Sequence, residues 1–266
     1  MLKVSKLINR ESESDYRSYV NIFSALVFKN LFGRYKNSLL GFGWNFITPM
    51  IMMLIYYVVF TGIRQGSLPN FWIFLASGLF PFHFMVSNLI GGSNIIVGNV
   101  GMIKKMYFPR EIIVYAQVFS SFIIMIIGYA IVLIAILLSG NSLSVNAFMI
   151  LPLFVTVFFF VTGYALIISA LTVYVRDLQH FLSSINIVFF FVTPMYFTVD
   201  SVTGILSTIV WFNPFTYYVE SFHQIIYFGN IPDIPILLMC IVLAIVSLIL
   251  GHVIFGKLKR GFAERL

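Results

Sequence analysis

This sequence is short of charge. Asp, Glu, Lys and Arg make up only 9% of its 266 residues, against about 25% in a soluble domain. That scarcity excludes an ordinary soluble enzyme, and it excludes disorder, which goes with the opposite balance. Cysteine is almost missing: Cys240 stands alone, so the chain builds no disulfide scaffold of its own. The usual chemical signatures are missing too. The four histidines, at 83, 180, 223 and 252, fall into no HExxH or Cys–His ligand spacing. No GxSxG elbow and no GxxxxGK[ST] loop occurs, so ATP is not bound here through a P-loop.

What is present is apolar surface: 60% of the residues are hydrophobic and 18% aromatic. A membrane span needs about 20 mostly apolar residues. Six stretches free of Asp, Glu, Lys and Arg meet or approach that length: 46–63, 71–90, 112–138, 147–175, 181–199 and 234–256. The region 201–229 is too interrupted for a seventh span, because it holds Gly204, Asn213-Pro214 and Glu220. Two half-helices, 205–212 and 214–228, suit it better, with Asn213 capping the second and Pro214 at its first position. Such a pair dips into a bilayer only where protein buries its backbone polar groups. The expected fold is therefore an all-α integral membrane protein, one domain over 1–266. It comprises a cytoplasmic and interfacial N-terminus (1–45), five spans (46–199), an external re-entrant half-helix pair (200–233), a sixth span (234–256) and a cytoplasmic tail (257–266).

Orientation follows from the cations. Nine acidic residues face sixteen Lys and Arg, for a net charge of +7. With six spans both termini share a side, and fifteen of the sixteen cations fall there; Arg64 alone lies opposite, with Asp200, Glu220 and Asp233. The positive-inside rule makes the rich side cytoplasmic, so the partner of this charge is a membrane rather than nucleic acid. Residues 1–18 are polar and mixed in charge, unlike a cleavable signal. After them Ile22, Phe23, Leu26, Val27 and Leu31 recur near a 3.6 period, with Lys29, Arg34 and Lys36 as cationic ends. That pattern suits a helix in the interface plane; the competing reading is a soluble helix packed on the chain's own loops.

Candidate chemistry is sparse. Asp200 and Glu220 would be the acid and base of a membrane-embedded glycan-modifying enzyme, the alternative from a different class. Ionisable residues in mid-span are the usual mark of ion-coupled transport; the first five spans contain only His83. Power then has to come from a partner. The loop 98–111 reads as a docking element for one, with Lys104-Lys105 beside Met106, Tyr107 and Phe108 and then Pro109; alternatively its cations serve only orientation.

In sequence order these features resemble a known family. The run Arg34-Tyr35-Lys36-Asn37-Ser38-Leu39-Leu40-Gly41-Phe42-Gly43-Trp44, continuing to Pro49, resembles the entrance to the first span in permeases of the type-2 ABC polysaccharide exporters. Gly78-Leu79-Phe80-Pro81-Phe82, the segment 103–110, Arg176-Asp177, Thr193-Pro194, Asn213-Pro214 and Lys257-Leu258-Lys259 follow in that family's order. The resemblance implies a permease rather than an enzyme, in a bacterial cytoplasmic membrane. It implies pairing with a second copy and docking on separate ATPase subunits that carry ATP and magnesium, with no cofactor in this chain. The interfacial helix and the segment Lys104, Lys105, Met106, Tyr107, Phe108, Pro109 would meet the ATPase. Asn213, Pro214, Glu220 and His223 would close the outer end of a channel. The implied substrate is a glycan on undecaprenyl diphosphate; a small lipophilic molecule or drug is the alternative cargo. Relatives often carry Arg where this chain has His223, which removes a charged role from that position.

Sugars crossing lipid need shielded hydroxyls, and aromatic faces pack on their C–H faces. Tyr56, Tyr57, Phe60, Phe190, Phe191 and Tyr196 are the expected lining, with lipid-facing filler as the competing role. Arg10, Arg17, Arg34 and Lys36 would meet the lipid diphosphate at the inner interface, unless they serve anionic headgroups generally.

Overall fold

The computed structural model describes the backbone of residues 2–33, 38–63 and 68–265, and the side chains of residues 17–33, 38–62, 68–262, 264 and 265. Among them there are eleven α-helices and no strand. In chain order these are α1 (Leu2–Phe32), α2 (Trp44–Ile63), α3 (Phe71–Gly92), α4 (Val100–Lys105), α5 (Glu111–Leu138) and α6 (Ile150–Tyr174). The rest are α7 (Leu178–Val192), α8 (Ile205–Phe212), α9 (Pro214–Ile226), α10 (Ile234–Leu258) and α11 (Phe262–Arg265). Arg34 and Lys36 lie outside the described residues, as does the side chain of Arg10.

Five of these helices, α2, α3, α5, α6 and α10, are long and apolar enough to cross a membrane. In lipid a helix satisfies its backbone internally, so an uninterrupted apolar run has no competing fold. α3 is the centre, buried along most of its length and packed against α5, α6 and α9. It also carries a proline, Pro81, in mid-helix. Proline has no N–H to give the carbonyl four residues back. That carbonyl belongs to Ser77, and the buried Tyr129 of α5 donates its hydroxyl to it at 3.3 Å. A neighbouring helix thus repairs the ladder. α6 and α10 form the closest pair, crossing where Gly163 meets Ser247 and Gly251. α2 is different: most of its side chains face away from the rest of the chain.

The fifth apolar stretch departs from its expected extent. Its helix, α7, stops at Val192 rather than running to position 199. Thr193 is extended (φ −81°, ψ 131°), as the residue before a proline must be, and Pro194 follows. The fifteen residues of α7 rise about 22 Å, short of a hydrocarbon core of about 30 Å. Two smaller corrections follow from local hydrogen bonding. Residues 147–149 belong to a 3-10 turn, Val145–Met149, which Ser144 caps by accepting from Asn146. The second half-helix ends at Ile226, because Tyr227 and Phe228 both turn their N–H groups back to His223 O and Gly229 takes a positive φ. Helix α1 is longer than its amphipathic stretch. It packs along α5, where Phe23 meets Phe119 and Ser120 reaches the carbonyl of Val27.

Candidate functional site

Two regions gather the residues singled out above. The first is the connection from α3 to α5. A 3-10 turn, Val97–Asn99, leads into α4, whose last turn carries Lys104 and Lys105, where the helix dipole favours cations. Met106 leaves the helix in extended conformation and ties its N–H to Met102 O. Met106 is half exposed and Tyr107 fully so, whereas Phe108 is buried and anchors the segment ahead of Pro109. The segment is braced from α1, since Lys29 Nζ donates to Asn99 Oδ1 at 3.1 Å.

Beside it lies a cleft of about 390 Å³ lined by Tyr19, Tyr107, Arg110, Glu111, Lys259 and Arg260. Phe108 and Pro109 also line it, so three residues of the expected docking set, with Tyr107, border the cleft, while Tyr19, Arg110, Glu111, Lys259 and Arg260 were outside that set. Lys259 Nζ binds Glu111 Oε1 at 2.6 Å, and Arg110 donates to Lys259 O at 2.6 Å. The one available sequence signal was Glu111, a lone acid at the edge of a basic loop. A second recess, polar and of about 280 Å³, opens between α1, α2 and α5 among Lys29, Asn30, Asn45, Gln117, Ser120 and Ser121. Arg17 is exposed on α1.

The second region is aromatic. Tyr56 of α2 meets Phe190 of α7 with ring centroids 5.1 Å apart. Phe60 stacks on Tyr196 at 4.2 Å, and Phe190 also touches Tyr196 and Phe191. The structure therefore brings five of the six expected lining residues into one cluster across α2, α7 and the segment just after α7. Tyr57 is not among them; it points to Phe71 at 6.3 Å.

Next to this cluster α8 and α9 meet at Asn213, which ends one helix and caps the other. Its Oδ1 accepts from Phe215 N at 3.0 Å and its Nδ2 donates to Thr193 Oγ1 at 2.8 Å. Asn213→Ala removes both bonds, and a lost cap costs about 1 kcal/mol; a fall in detergent melting temperature, without loss of folded yield, is the expected result. His223 is wholly buried, in the space left by Gly78, and stacks on Phe74 at 3.9 Å. Its Nε2 lies 2.9 Å from Pro194 O and its Nδ1 2.8 Å from Ser77 Oγ. A carbonyl only accepts, so Nε2 carries a proton, and in the neutral ring Ser77 supplies its hydroxyl hydrogen to Nδ1. One imidazole thereby joins α9, α3 and the break after α7. Sequence reading singled out His223, and Pro194 within the Thr193-Pro194 motif, but did not connect them, and it did not single out Ser77; the two partners lie 29 and 146 residues away.

The two acids considered as a pair have different surroundings. Glu220 is buried and accepts from Gln224 at 2.6 Å, while Asp200 sits exposed in the turn Val199–Ser201. Among the described residues no cluster of His, Cys, Asp and Glu is arranged to hold a metal.

Comparison with known proteins agrees with this architecture. Residues 21–227 match the model of the ABC-2 type transporter family. An O-antigen export system permease protein RfbA of Klebsiella pneumoniae is 30% identical over 241 residues, covering 90% of this chain and 92% of that one. A protein of the same name from Myxococcus xanthus is 27% identical, over 93% of this chain and 96% of its own length. A capsule polysaccharide export inner-membrane protein CtrC of Neisseria meningitidis is 22% identical, over 90% and 92%. With the matched segment covering well over half its length, the chain belongs to the ABC-2 type transporter family.

Proposed function

We propose that this chain is the membrane-spanning subunit of an ATP-driven exporter that moves a lipid-linked cell-surface polysaccharide, of the O-antigen kind, across the cytoplasmic membrane. The observation that carries the reading is the 30% identity over nine-tenths of both chains to a permease named for O-antigen export. ATP and magnesium belong to a separate ATP-binding subunit, which docks on Lys104–Pro109. Exposed Met106 and Tyr107 beside two cations fit such a contact, with buried Phe108 holding the segment in place.

In this reading α7 completes a sixth crossing together with the residues after it, and both termini are cytoplasmic. Helices α8 and α9 form a re-entrant pair near the outer surface, where Asn213, Pro214, Glu220 and His223 set the outer closure. Burial of nearly the whole of α9 against protein meets the condition for backbone entering a bilayer without spanning it. α1 lies at the inner interface. Arg10, Arg17, Arg34 and Lys36 meet the diphosphate of the carrier lipid at that interface. Two copies pair, and the aromatic cluster of α2 and α7 borders the path of the sugar chain.

The test is genetic and biochemical. Cells lacking this chain should retain the finished lipid-linked glycan on the inner leaflet, and expression of the chain should return it to the surface. Normal surface glycan in its absence would refute the reading. With the purified complex, the pair of changes Lys104→Glu and Lys105→Glu should lower permease-stimulated ATP hydrolysis about tenfold, the equivalent of about 1.4 kcal/mol of contact. Membrane insertion should not change.

A further inference from the structure

The segment after the last span, Lys259–Arg265, is fastened to the α4–α5 connection by contacts of several kinds. Lys259 pairs with Glu111 through its ammonium and receives Arg110 through its carbonyl, each at 2.6 Å. Phe262 is fully buried against Phe255 and Tyr174, and the Arg110 guanidinium lies 5.6 Å from the centre of its ring. Tyr174, in the last turn of α6, donates to Leu258 O at 2.9 Å and has Arg265 over its ring at 5.2 Å. At Gly261 a Cβ would meet the Tyr174 hydroxyl at 2.3 Å, so the segment lies as close as its backbone allows. A solvated tail makes none of these contacts.

We infer that Lys259–Arg265 is a working part of the coupling apparatus, forming the second wall of the site that receives the ATP-binding subunit. This rests on the function proposed above, and it extends the contact to a part of the chain about 150 residues away in sequence. Three observations carry it. The cleft at this place is walled on one side by Tyr107 to Glu111 and on the other by Lys259 and Arg260. Glu111 Oε2 is buried and has no hydrogen-bond partner among the described residues, so the clasp is not saturated. The cations lining the cleft are Arg110, Lys259 and Arg260, with Glu111 engaged by Lys259, and Lys104 and Lys105 end α4 just before Tyr107. Such a lining fits an acidic face of the partner, and fully exposed Tyr107 projects beside it. Because Lys259 grips the first residues of α5 while Tyr174 ends α6, a push on the docked segment reaches α5, α6 and α10 together.

The test uses the whole chain with its ATP-binding subunit in nanodiscs. Lys259→Glu and Glu111→Lys, each alone, should reduce permease-stimulated ATP hydrolysis about tenfold, the range for breaking a charge-assisted hydrogen bond. The double variant, with the charges exchanged, should recover most of that loss. Gly261→Ala displaces the segment without altering charge and should also lower stimulation. Contact is read independently by cysteine cross-linking, since the only native thiol, Cys240, is buried. Arg260→Cys and Tyr107→Cys should both cross-link to the ATP-binding subunit. Cross-linking from Tyr107→Cys but not Arg260→Cys, or no recovery in a well-folded charge exchange, overturns the role of the segment and leaves the exporter reading intact. Failure from both positions removes the docking site itself.

Discussion

Gly163→Ala should abolish most of the folded protein. At this position a Cβ would sit 2.2 Å from the carbonyl carbon of Ser247 and 2.3 Å from its Oγ. The reciprocal position is as tight, with a Cβ on Gly251 lying 2.4 Å from the carbonyl oxygen of Gly163. These obstacles are largely backbone, which cannot rotate aside, so α6 and α10 have to separate. Ser247 and Gly251 are four residues apart, the small-xxx-small arrangement by which helices in lipid approach closely, and Ser247 Oγ uses that proximity to donate to Phe160 O at 2.9 Å. Overpacking in a well-packed core typically costs about 1–3 kcal/mol and occasionally more; a clash of two backbones belongs at the upper end. Gly256→Ala on the same α10 is the control, because nothing lies within 4 Å of its Cβ. There alanine should be neutral or stabilising, by up to about 1 kcal/mol of helix propensity. Folded yield after size exclusion and the unfolding temperature in detergent check both expectations. Normal yield from Gly163→Ala would mean that α6 and α10 do not cross this closely.

The second large effect belongs to His223. Alanine there opens a cavity the size of an imidazole next to Phe74 and removes both bonds of the ring, to Ser77 and Pro194. Truncating a buried aromatic ring costs about 3–5 kcal/mol, and a carbonyl left buried without a donor adds about 1–3 kcal/mol. His223→Phe keeps the stack and loses only the polar part, so stability should fall in the order His, Phe, Ala. Hydrogen exchange gives the location as well as the size. Backbone amides just after α7, held in place through Pro194, should exchange faster in both variants, while those of α5 should change little. An equal rise across all helices would show that His223 supports the fold generally rather than this junction.

The spans were legible because lipid leaves the backbone few choices: an apolar run without charge becomes a helix wherever the bilayer is its solvent. The starts of α2, α3, α5 and α10 fall within two residues of the apolar runs. The break at Asn213-Pro214 was legible for a local reason, since both residues act on the one helix they begin. α7 was read too long because hydrophobicity continues through Met195 and Phe197 while the backbone has already turned at Thr193. Counting apolar residues does not detect a proline that forbids the helix just before it. Tyr56, Phe60, Phe190 and Tyr196 were picked as aromatics of the first and fifth apolar stretches able to pack on sugars, and their rings meet one another. Lys259 with Glu111, and His223 with Ser77, were out of reach. Each is a pair of residues from opposite parts of the chain, and no local period or motif connects them.

The outward side of α2 has one more consequence. Ile51, Leu54, Ile55 and Val58 are exposed, and the fold of a single chain leaves them unread. Exchanging them for other apolar residues of similar bulk should therefore leave the unfolding temperature of the isolated chain where it is. Any such exchange that stops export reports on what lies beyond the chain, whether lipid, cargo or a second copy. This stripe is a natural genetic filter: along it, loss of assembly or transport can be scored without the confounding loss of fold that follows almost any change in α3.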